Sequence, residues 1–247
     1  MNVAVTADGK TDTVARQGAA ISSAADRDRV DWLRAESDAV MVGGRTLTGD
    51  DPRLTVKSAE LRAARLACGQ PENPMKVGVL SRADLRPDSR FLTEGPAQVM
   101  VFTTEQSDPA RLAELRQAGV RVAVVGARRV DLPAALEALW RAGVRRLLVE
   151  GGGTLNAELL RLRLVDELYV YVAPLLFGGG AAPTFADGPG WERSAALGLT
   201  LLGVERLADV GFLAHYRLPA EELQHRQPQY GETHDVTDAF ANQRTAR

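Results

Sequence analysis

The chain has 247 residues, of which 45% are hydrophobic and 25% are charged, so it can bury the core of one large α/β domain. Its 30 Lys and Arg nearly balance 32 Asp and Glu, which argues against a nucleic-acid-binding surface. The lone cysteine, Cys68, the absence of zinc-ligand spacing and the absence of a long apolar run predict a cytoplasmic protein without disulfide, metal or membrane contact.

Short β-branched runs alternate with helical patterns, which is typical of a largely parallel sheet covered by helices on both faces. Strands are predicted near 2–6, 38–43, 76–80, 97–102, 120–125, 145–149, 166–173, 199–206 and 210–217. Helices are predicted near 24–35, 108–118, 132–142 and 154–163, with a short Ala- and Arg-rich helix inside 58–74. Because the alternation stops near Asp166, the last three strands should form an antiparallel edge. A polar extension should follow over 219–247.

A run of three glycines, 151–153, directly follows an apolar segment that ends in Glu150. This order predicts a buried strand, a tight turn and a helix N-terminus, where free N–H groups and the helix dipole can hold a phosphate. Glu150 would then face a substrate at the mouth of the anion site. An ordinary strand-to-helix turn with a solvated glutamate explains the same residues equally well.

A second strand-to-helix turn carries Gly43 and Gly44 before Arg45 and Thr46. Thr46 is expected to cap the turn, and Arg45 adds a cation beside the free backbone donors. Two such helix starts in one sheet can hold the two ends of a dinucleotide. Neither turn matches the G-x-G-x-x-G fingerprint or a P-loop, which argues against the common nucleotide-binding classes.

Two neighbouring carboxylates follow in the segment Asp50-Asp51-Pro52. Proline should hold Asp51 extended, so that one carboxylate points inward while the other caps the turn. A plain Asp-Asp-Pro turn is the simpler interpretation. A third glycine run, 178–180, allows either close approach to a ligand or a flexible connection. The histidines all lie in the last strand or the tail and no G-x-S-x-G occurs, so a Ser-His-Asp hydrolase is not indicated.

These motifs together resemble the pyrimidine reductases of riboflavin biosynthesis over residues 1 to about 218. The resemblance is carried by segments 5–10, 21–23, 33–35, 42–46, 50–56, 150–156, 164–168 and 182–184. It implies a single dihydrofolate reductase-like domain with a mostly parallel central sheet. It also implies NADPH-dependent reduction of the ribosyl group of a 5-amino-6-(phosphoribosylamino)pyrimidine to ribityl, and a cis peptide between Gly151 and Gly152.

The resemblance and the two glycine turns also indicate site residues. The expected NADPH contacts are Ala4, Gly44, Arg45, Thr46, Asp50, Ser81, Gly151, Gly152, Gly153, Thr154, Leu155 and Asn156. The expected substrate contacts are Lys10, Arg34, Leu54, Lys57 and Glu150, with Arg34 and Lys57 holding the phosphate. Asp50 and Glu150 are the candidate catalytic groups. For Arg34, a solvated helix arginine is the alternative.

Some positions depart from the family pattern and leave the substrate open. The segment 18–20 is Gly-Ala-Ala where many members have a serine and a large side chain, Lys57 replaces a common arginine, and Leu80 replaces a frequent aspartate. The substrate could be the diamino or the deaminated pyrimidine. Reduction of a related pterin or pyrimidine, and non-catalytic NADPH binding, are the alternatives.

Two further expectations concern the cofactor and the oligomeric state. Arg45 and Arg82 beside the glycine turns favour NADPH over NADH, because no ribose-binding acid follows the first turn. The strand-rich segment 168–218 leaves an apolar sheet edge, which predicts a homodimer.

Overall fold

The computed structural model describes residues 1–207 and 210–219, so that almost all of the predicted polar extension lies outside the described residues. The strands are β1 (Asn2–Thr6), β2 (Ala39–Gly43), β3 (Met75–Val79), β4 (Val99–Thr103), β5 (Arg121–Val124), β6 (Leu147–Val149), β7 (Glu167–Ala173), β8 (Thr200–Arg206) and β9 (Phe212–Arg217). The helices are α1 (Ala24–Ala35), α2 (Gly44–Gly49), α3 (Ala59–Ala67), α4 (Arg90–Thr93), α5 (Pro109–Gln117), α6 (Leu132–Arg141) and α7 (Gly153–Arg161). The predicted strands and helices are confirmed. For α2, the start after Gly43 was predicted but no helix range, and α4 was not predicted.

The strands form two hydrogen-bonded sheets rather than the one central sheet that was expected. One is parallel throughout, with the order β5-β4-β3-β2-β6. The other has the order β1-β7-β9-β8, in which β1 is parallel to β7 and the remaining pairs are antiparallel. The antiparallel C-terminal edge is therefore confirmed. One core cluster contains Val3 and Leu168 from the second sheet and Met41 from the first, which joins the two sheets.

Both faces of the parallel sheet are buried. Along β2, Ala39 and Met41 pack in one core cluster, while Val40 and Val42 pack in the other. Helices α6 and α7 cover the first face and α5 covers the second. Because alternate side chains of a strand point to opposite faces, an unbroken apolar strand such as β2 requires this double cover. The expected helices on both faces are confirmed.

Local signals set the helix starts. Ser23 accepts a hydrogen bond from the Asp26 N–H at the start of α1, and Asp108 and Asp131 cap α5 and α6 in the same way. Each of these side chains satisfies an N–H group that the first helical turn leaves unpaired. Within the described part of the chain, no helix has both the length and the apolar character needed to cross a membrane.

Candidate active site

A cleft of about 1220 Å³ opens at the carboxyl ends of the parallel strands. In the strand order, β3, β4 and β5 lie on one side of β2, and β6 lies on the other. Helix α2 after β2 and helix α7 after β6 pack on opposite faces of the sheet. Ligands of open α/β sheets bind in the crevice between two such connections. The two glycine turns predicted from the sequence are the segments that leave β2 and β6.

The two glycine turns touch each other. The Gly43 N–H donates to the Gly151 carbonyl at 2.9 Å, and the peptide between Gly151 and Gly152 is cis, as expected. A Cβ on Gly152 would lie 2.9 Å from Thr46 Oγ1, and a Cβ on Gly153 would lie 2.6 Å from the Thr184 carbonyl oxygen. Close packing therefore requires glycine at 152 and 153, while Gly151 has a φ of +114°, which favours glycine.

The turns leave two helix N-termini without side-chain caps. Gly43 precedes α2 and Gly152 precedes α7, and neither position provides a capping hydrogen bond. Thr46 lies inside α2 rather than at its cap, so its expected capping role was wrong. Since uncapped N–H groups and the helix dipole favour anions, both helix starts suit a phosphorylated ligand.

Every residue of the predicted cofactor set lines this cleft. These residues are Ala4, Gly44, Arg45, Thr46, Asp50, Ser81, Gly151, Gly152, Gly153, Thr154, Leu155 and Asn156. The guanidinium of Arg45 donates to the hydroxyl of Thr154, which links α2 to α7. The Asn156 side chain is buried and donates to the Phe185 carbonyl at 2.8 Å, so it anchors the segment beside the α7 N-terminus.

Glu150 is held by an arginine from a distant part of the chain. Arg34 Nε and Nη2 donate to the two carboxylate oxygens of Glu150 at 2.7 Å each, and Nη1 donates to the Thr55 carbonyl at 3.1 Å. The two side chains are only 15% and 11% exposed. Burial alone would lower the pKa of Arg34, but the negative charge of Glu150 raises it. The alternative of a solvated Arg34 is therefore wrong.

Of the five predicted substrate residues, Glu150 lines the cleft, whereas Arg34 and the remaining three do not. Leu54 is 1% exposed and packs in a core cluster, and Lys57 is exposed at the surface. Lys10 is half-buried, with its Nζ 3.5 Å from the Ala182 carbonyl oxygen. The third glycine run also lies away from the cleft, where the Gly178 N–H donates to Asp8 at 2.7 Å.

Asp12 and Asp50 are two of the carboxylates that line the cleft, and of these two only Asp50 was predicted. Asp50 follows α2, and partial desolvation together with the negative charge of Asp12 raises its pKa. Asp12 accepts hydrogen bonds from the N–H groups of Thr13, Gly18 and Ala19 at 2.7, 2.9 and 3.0 Å. Burial opposes ionisation of Asp12, but these donors outweigh it and lower its pKa. No local sequence motif marks Asp12, since its role depends on where the loop folds.

Asp51 holds a short helix rather than facing the cleft. Its carboxylate accepts the N–H groups of Arg90 and Phe91 at 3.0 and 3.2 Å, and so caps α4. Its φ of 45° lies in the left-handed region, so the expected extended conformation before Pro52 was wrong. At the other end of α4, the buried Lys76 donates to the carbonyls of Phe91 and Glu94. Of the two neighbouring aspartates, Asp50 alone lines the cleft.

Five arginines line the cleft, together with six carboxylates. Arg161 is neutralised by Glu158 at 2.6 Å, and Arg45 is held by Thr154. Arg82 and Arg129 also line the cleft, and neither forms an ion pair with another residue in the ranges 1–207 and 210–219. Arg129 was not predicted, because it lies in the β5–α6 connection without a recognisable motif. In the same ranges, no cluster of His, Cys, Asp or Glu side chains is arranged to hold a metal ion.

Comparison with known proteins finds relatives that match most of this chain. The family model described as the RibD C-terminal domain matches residues 1–211. A 2,5-diamino-6-ribosylamino-4(3H)-pyrimidinone 5′-phosphate reductase of Archaeoglobus fulgidus is 46% identical over 197 residues, which is 80% of this chain and 89% of that protein. A protein of the same name from Methanothermobacter thermautotrophicus is 43% identical over 195 residues, covering 79% of this chain and 86% of that protein.

A solved structure agrees with the sequence matches. The chain superposes on RibD of Acinetobacter baumannii with a TM-score of 0.73 and 27% identity, over 89% of this chain. The match spans 57% of the length of that protein. The expected dihydrofolate reductase-like α/β fold is confirmed.

Proposed function

Because the chain belongs to the RibD C-terminal domain family, we propose that it is the reductase that converts the ribosyl group of a 5-amino-6-(phosphoribosylamino)pyrimidine to ribityl in riboflavin biosynthesis. The relatives at 43–46% identity are named as reductases of the diamino compound, which favours the diamino over the deaminated substrate. The observation that carries the proposal is the meeting of two uncapped, glycine-bearing helix starts in one cleft with Glu150.

The cofactor of this proposal is NADPH, which supplies the hydride when bound. The residues fit such a group, since the glycines 151–153 line the cleft and a side chain on Gly152 would lie against Thr46 of α2. The uncapped helix starts suit the pyrophosphate, with Ala4, Thr46, Ser81 and the segment 151–156 along the dinucleotide. Arg82, together with Arg45, provides cations for the 2′-phosphate that distinguishes NADPH from NADH.

The proposed substrate contacts follow from the charges around Glu150. A carboxylate fixed by two hydrogen bonds from Arg34 is an oriented acceptor for pyrimidine N–H or ribose hydroxyl groups. Lys57 and Lys10 remain the cations for the substrate phosphate, whereas Arg34 can reach a phosphate only by giving up its pair with Glu150. The reaction then requires opening of the ribosylamine to an imine before reduction at C1, and Asp50 is the group proposed to move the proton.

We also propose a cytoplasmic homodimer built from the unit 1–218, with 219–247 as its extension. Strand β8 forms the edge of the second sheet, and all of its residues are exposed. Leu201 and Val204 on this strand are 55% and 60% exposed. An exposed apolar edge strand requires protection, and pairing with a second copy provides it.

The test of the proposed function is loss of NADPH absorbance with the diamino and the deaminated phosphoribosylamino-pyrimidines, each offered separately. Turnover of the diamino compound is expected to be the faster. Dihydrofolate serves as the competing substrate, and its preferential reduction would contradict the proposal. Thermal stabilisation by NADPH without turnover of any of the three would indicate a non-catalytic binding protein.

A further inference from the structure

We propose that Asp12 is a positioning residue that acts through its negative charge to retain a proton on Asp50, which donates that proton to the substrate. The proposal rests on the proposed reductase function, since the proton is needed when the sugar ring opens. It assigns a role to a loop that no sequence motif marks.

Asp12 is built to stay ionised. One of its carboxylate oxygens accepts the Thr13 and Ala19 N–H groups, and the other accepts the Gly18 N–H, at 2.7, 3.0 and 2.9 Å. Hydrogen bonds to a charged carboxylate favour its ionised form. The loop therefore closes around a fixed negative charge at the wall of the cleft.

Gly18 brings this charge close to Asp50. Its φ is +78°, a conformation that glycine adopts readily, and the position of a Cβ there would lie 3.4 Å from Asp50 Oδ1. The Asp50 carboxylate therefore lies beside the backbone segment that donates to Asp12. The Asp50 side chain accepts no hydrogen bond from another residue in the ranges 1–207 and 210–219, so no donor there favours its charged form.

The surroundings shift the pKa values of the two carboxylates in opposite directions. Desolvation in the cleft and the charge of Asp12 raise the pKa of Asp50, while the backbone donors lower the pKa of Asp12. Pairs of acids whose surroundings separate their pKa values are a recognised basis for acid and base roles. Arg16 on the Asp12 loop, Arg45 on α2 and Glu150 also line the cleft. Glu150 is paired with Arg34, and Asp51, next to Asp50 in the chain, is paired with Arg90. Arg90 donates to the Asp50 backbone carbonyl at 2.8 Å, so it bonds to the peptide rather than to the Asp50 carboxylate.

The proposed proton transfer balances. The bond between C1 and the ring oxygen of the ribosylamine breaks with its electron pair leaving on oxygen, and the exocyclic nitrogen lone pair forms the C=N bond. The Asp50 proton passes to that oxygen, which leaves Asp50 as a carboxylate and the nitrogen as an iminium. Hydride addition at C1 then returns the electron pair to nitrogen, so that one proton and one hydride are consumed per turnover. Solvent reprotonates Asp50.

The first test measures the titration of Asp50 in the apo protein by the ¹³C shift of its carboxyl carbon, assigned with Asp50→Asn. In Asp12→Asn the remaining oxygen can still accept the Thr13 and Ala19 N–H groups, but the charge is gone. The Asp50 midpoint should therefore move to lower pH. The matched control is Asp8→Asn, because Asp8 also accepts loop N–H groups yet does not line the cleft. An unmoved midpoint in a folded Asp12→Asn protein overturns the proposal.

If Asp12→Asn fails to fold, salt provides the same test in the native protein. Raising the ionic strength from about 0.01 M to about 1 M screens the charge of Asp12. The Asp50 midpoint should then fall, and a midpoint that does not fall overturns the proposal.

The second test is the pH profile of kcat. With protonated Asp50 as the donor, the rate falls as the pH rises through the pKa of Asp50, and in Asp12→Asn this descending limb should move to lower pH. At a fixed pH above both Asp50 midpoints, kcat of Asp12→Asn should be lower than that of the native protein by about tenfold for each pH unit that the midpoint falls. A shifted midpoint with an unshifted rate limb would overturn the donor role. Absence of turnover with either pyrimidine would reject the proposed function, while the titration would still decide the coupling.

Discussion

Replacing Arg34 with alanine removes the partner of a buried carboxylate. The Arg34–Glu150 pair has two charge-assisted hydrogen bonds of 2.7 Å, and its side chains are 15% and 11% exposed. Breaking a buried pair by deleting one partner costs about 3–5 kcal/mol, because the remaining charge is left without compensation. We therefore expect the free energy of unfolding of Arg34→Ala to fall by about this amount. It would be measured by urea denaturation.

The matched control is Arg141→Ala. Arg141 forms an ion pair with Glu137 at 2.6 Å, but these side chains are 63% and 40% exposed. An exposed pair contributes about 0–1 kcal/mol, so the control should lose little stability although its distance is similar. Equal losses of stability in the two variants would refute the argument from burial.

Arg34→Ala also separates the substrate site from the cofactor site. Loss of the fixed Glu150 acceptor should lower kcat/KM for the pyrimidine roughly tenfold or more, as expected for charge-assisted contacts of about 1.5–3 kcal/mol. The dissociation constant of NADPH should change little, because the proposed cofactor contacts lie elsewhere. Loss of NADPH binding with substrate binding retained would assign Arg34 to the cofactor instead.

Four other outcomes are expected. Gly153→Ala places a Cβ 2.6 Å from a backbone carbonyl oxygen, so it should abolish NADPH binding in calorimetry, whereas Gly180→Ala meets nothing within 4 Å and should bind normally. Burial lowers the pKa of Lys76 from 10.5 to about 8, so the folded state binds fewer protons than the unfolded state between these values. The free energy of unfolding should therefore rise by about 1–2 kcal/mol from pH 8 to pH 10.5. This rise should be absent in Lys76→Met, and its persistence there would show that another group causes it. Light scattering should give a dimer mass for the native protein and a monomer mass for Val204→Lys, and a native monomer at micromolar concentration would reject the interface. Arg82→Ala should weaken NADPH binding about tenfold and leave NADH binding unchanged, while an equal loss for both cofactors would remove Arg82 from the 2′-phosphate site.

The sequence by itself determined the elements, because their signals are local. Apolar runs, helical spacing and caps such as Asp108 and Asp131 act within a few residues, and the predicted boundaries agree with the structure to within a few positions. Helices α2 and α4 have 6 and 4 residues, which is too short for a periodic pattern. Their positions depend on tertiary contacts, such as the Asp51 cap of α4, whose partner lies 39 residues away.

The glycine turns could likewise be read from the sequence, since a strand, a turn and a helix start follow one another along the chain. What only the tertiary structure decided is which side chains share the cleft. Glu150 and Arg34 are 116 residues apart in the chain. The proximity of Asp12 to Asp50 depends on the conformation of the loop that contains Asp12 and Gly18. The division into two sheets was also beyond the sequence, because strand order follows from long-range pairing. Local propensity selects elements, whereas burial and Coulomb interactions between distant residues select the partners that give each charge its role.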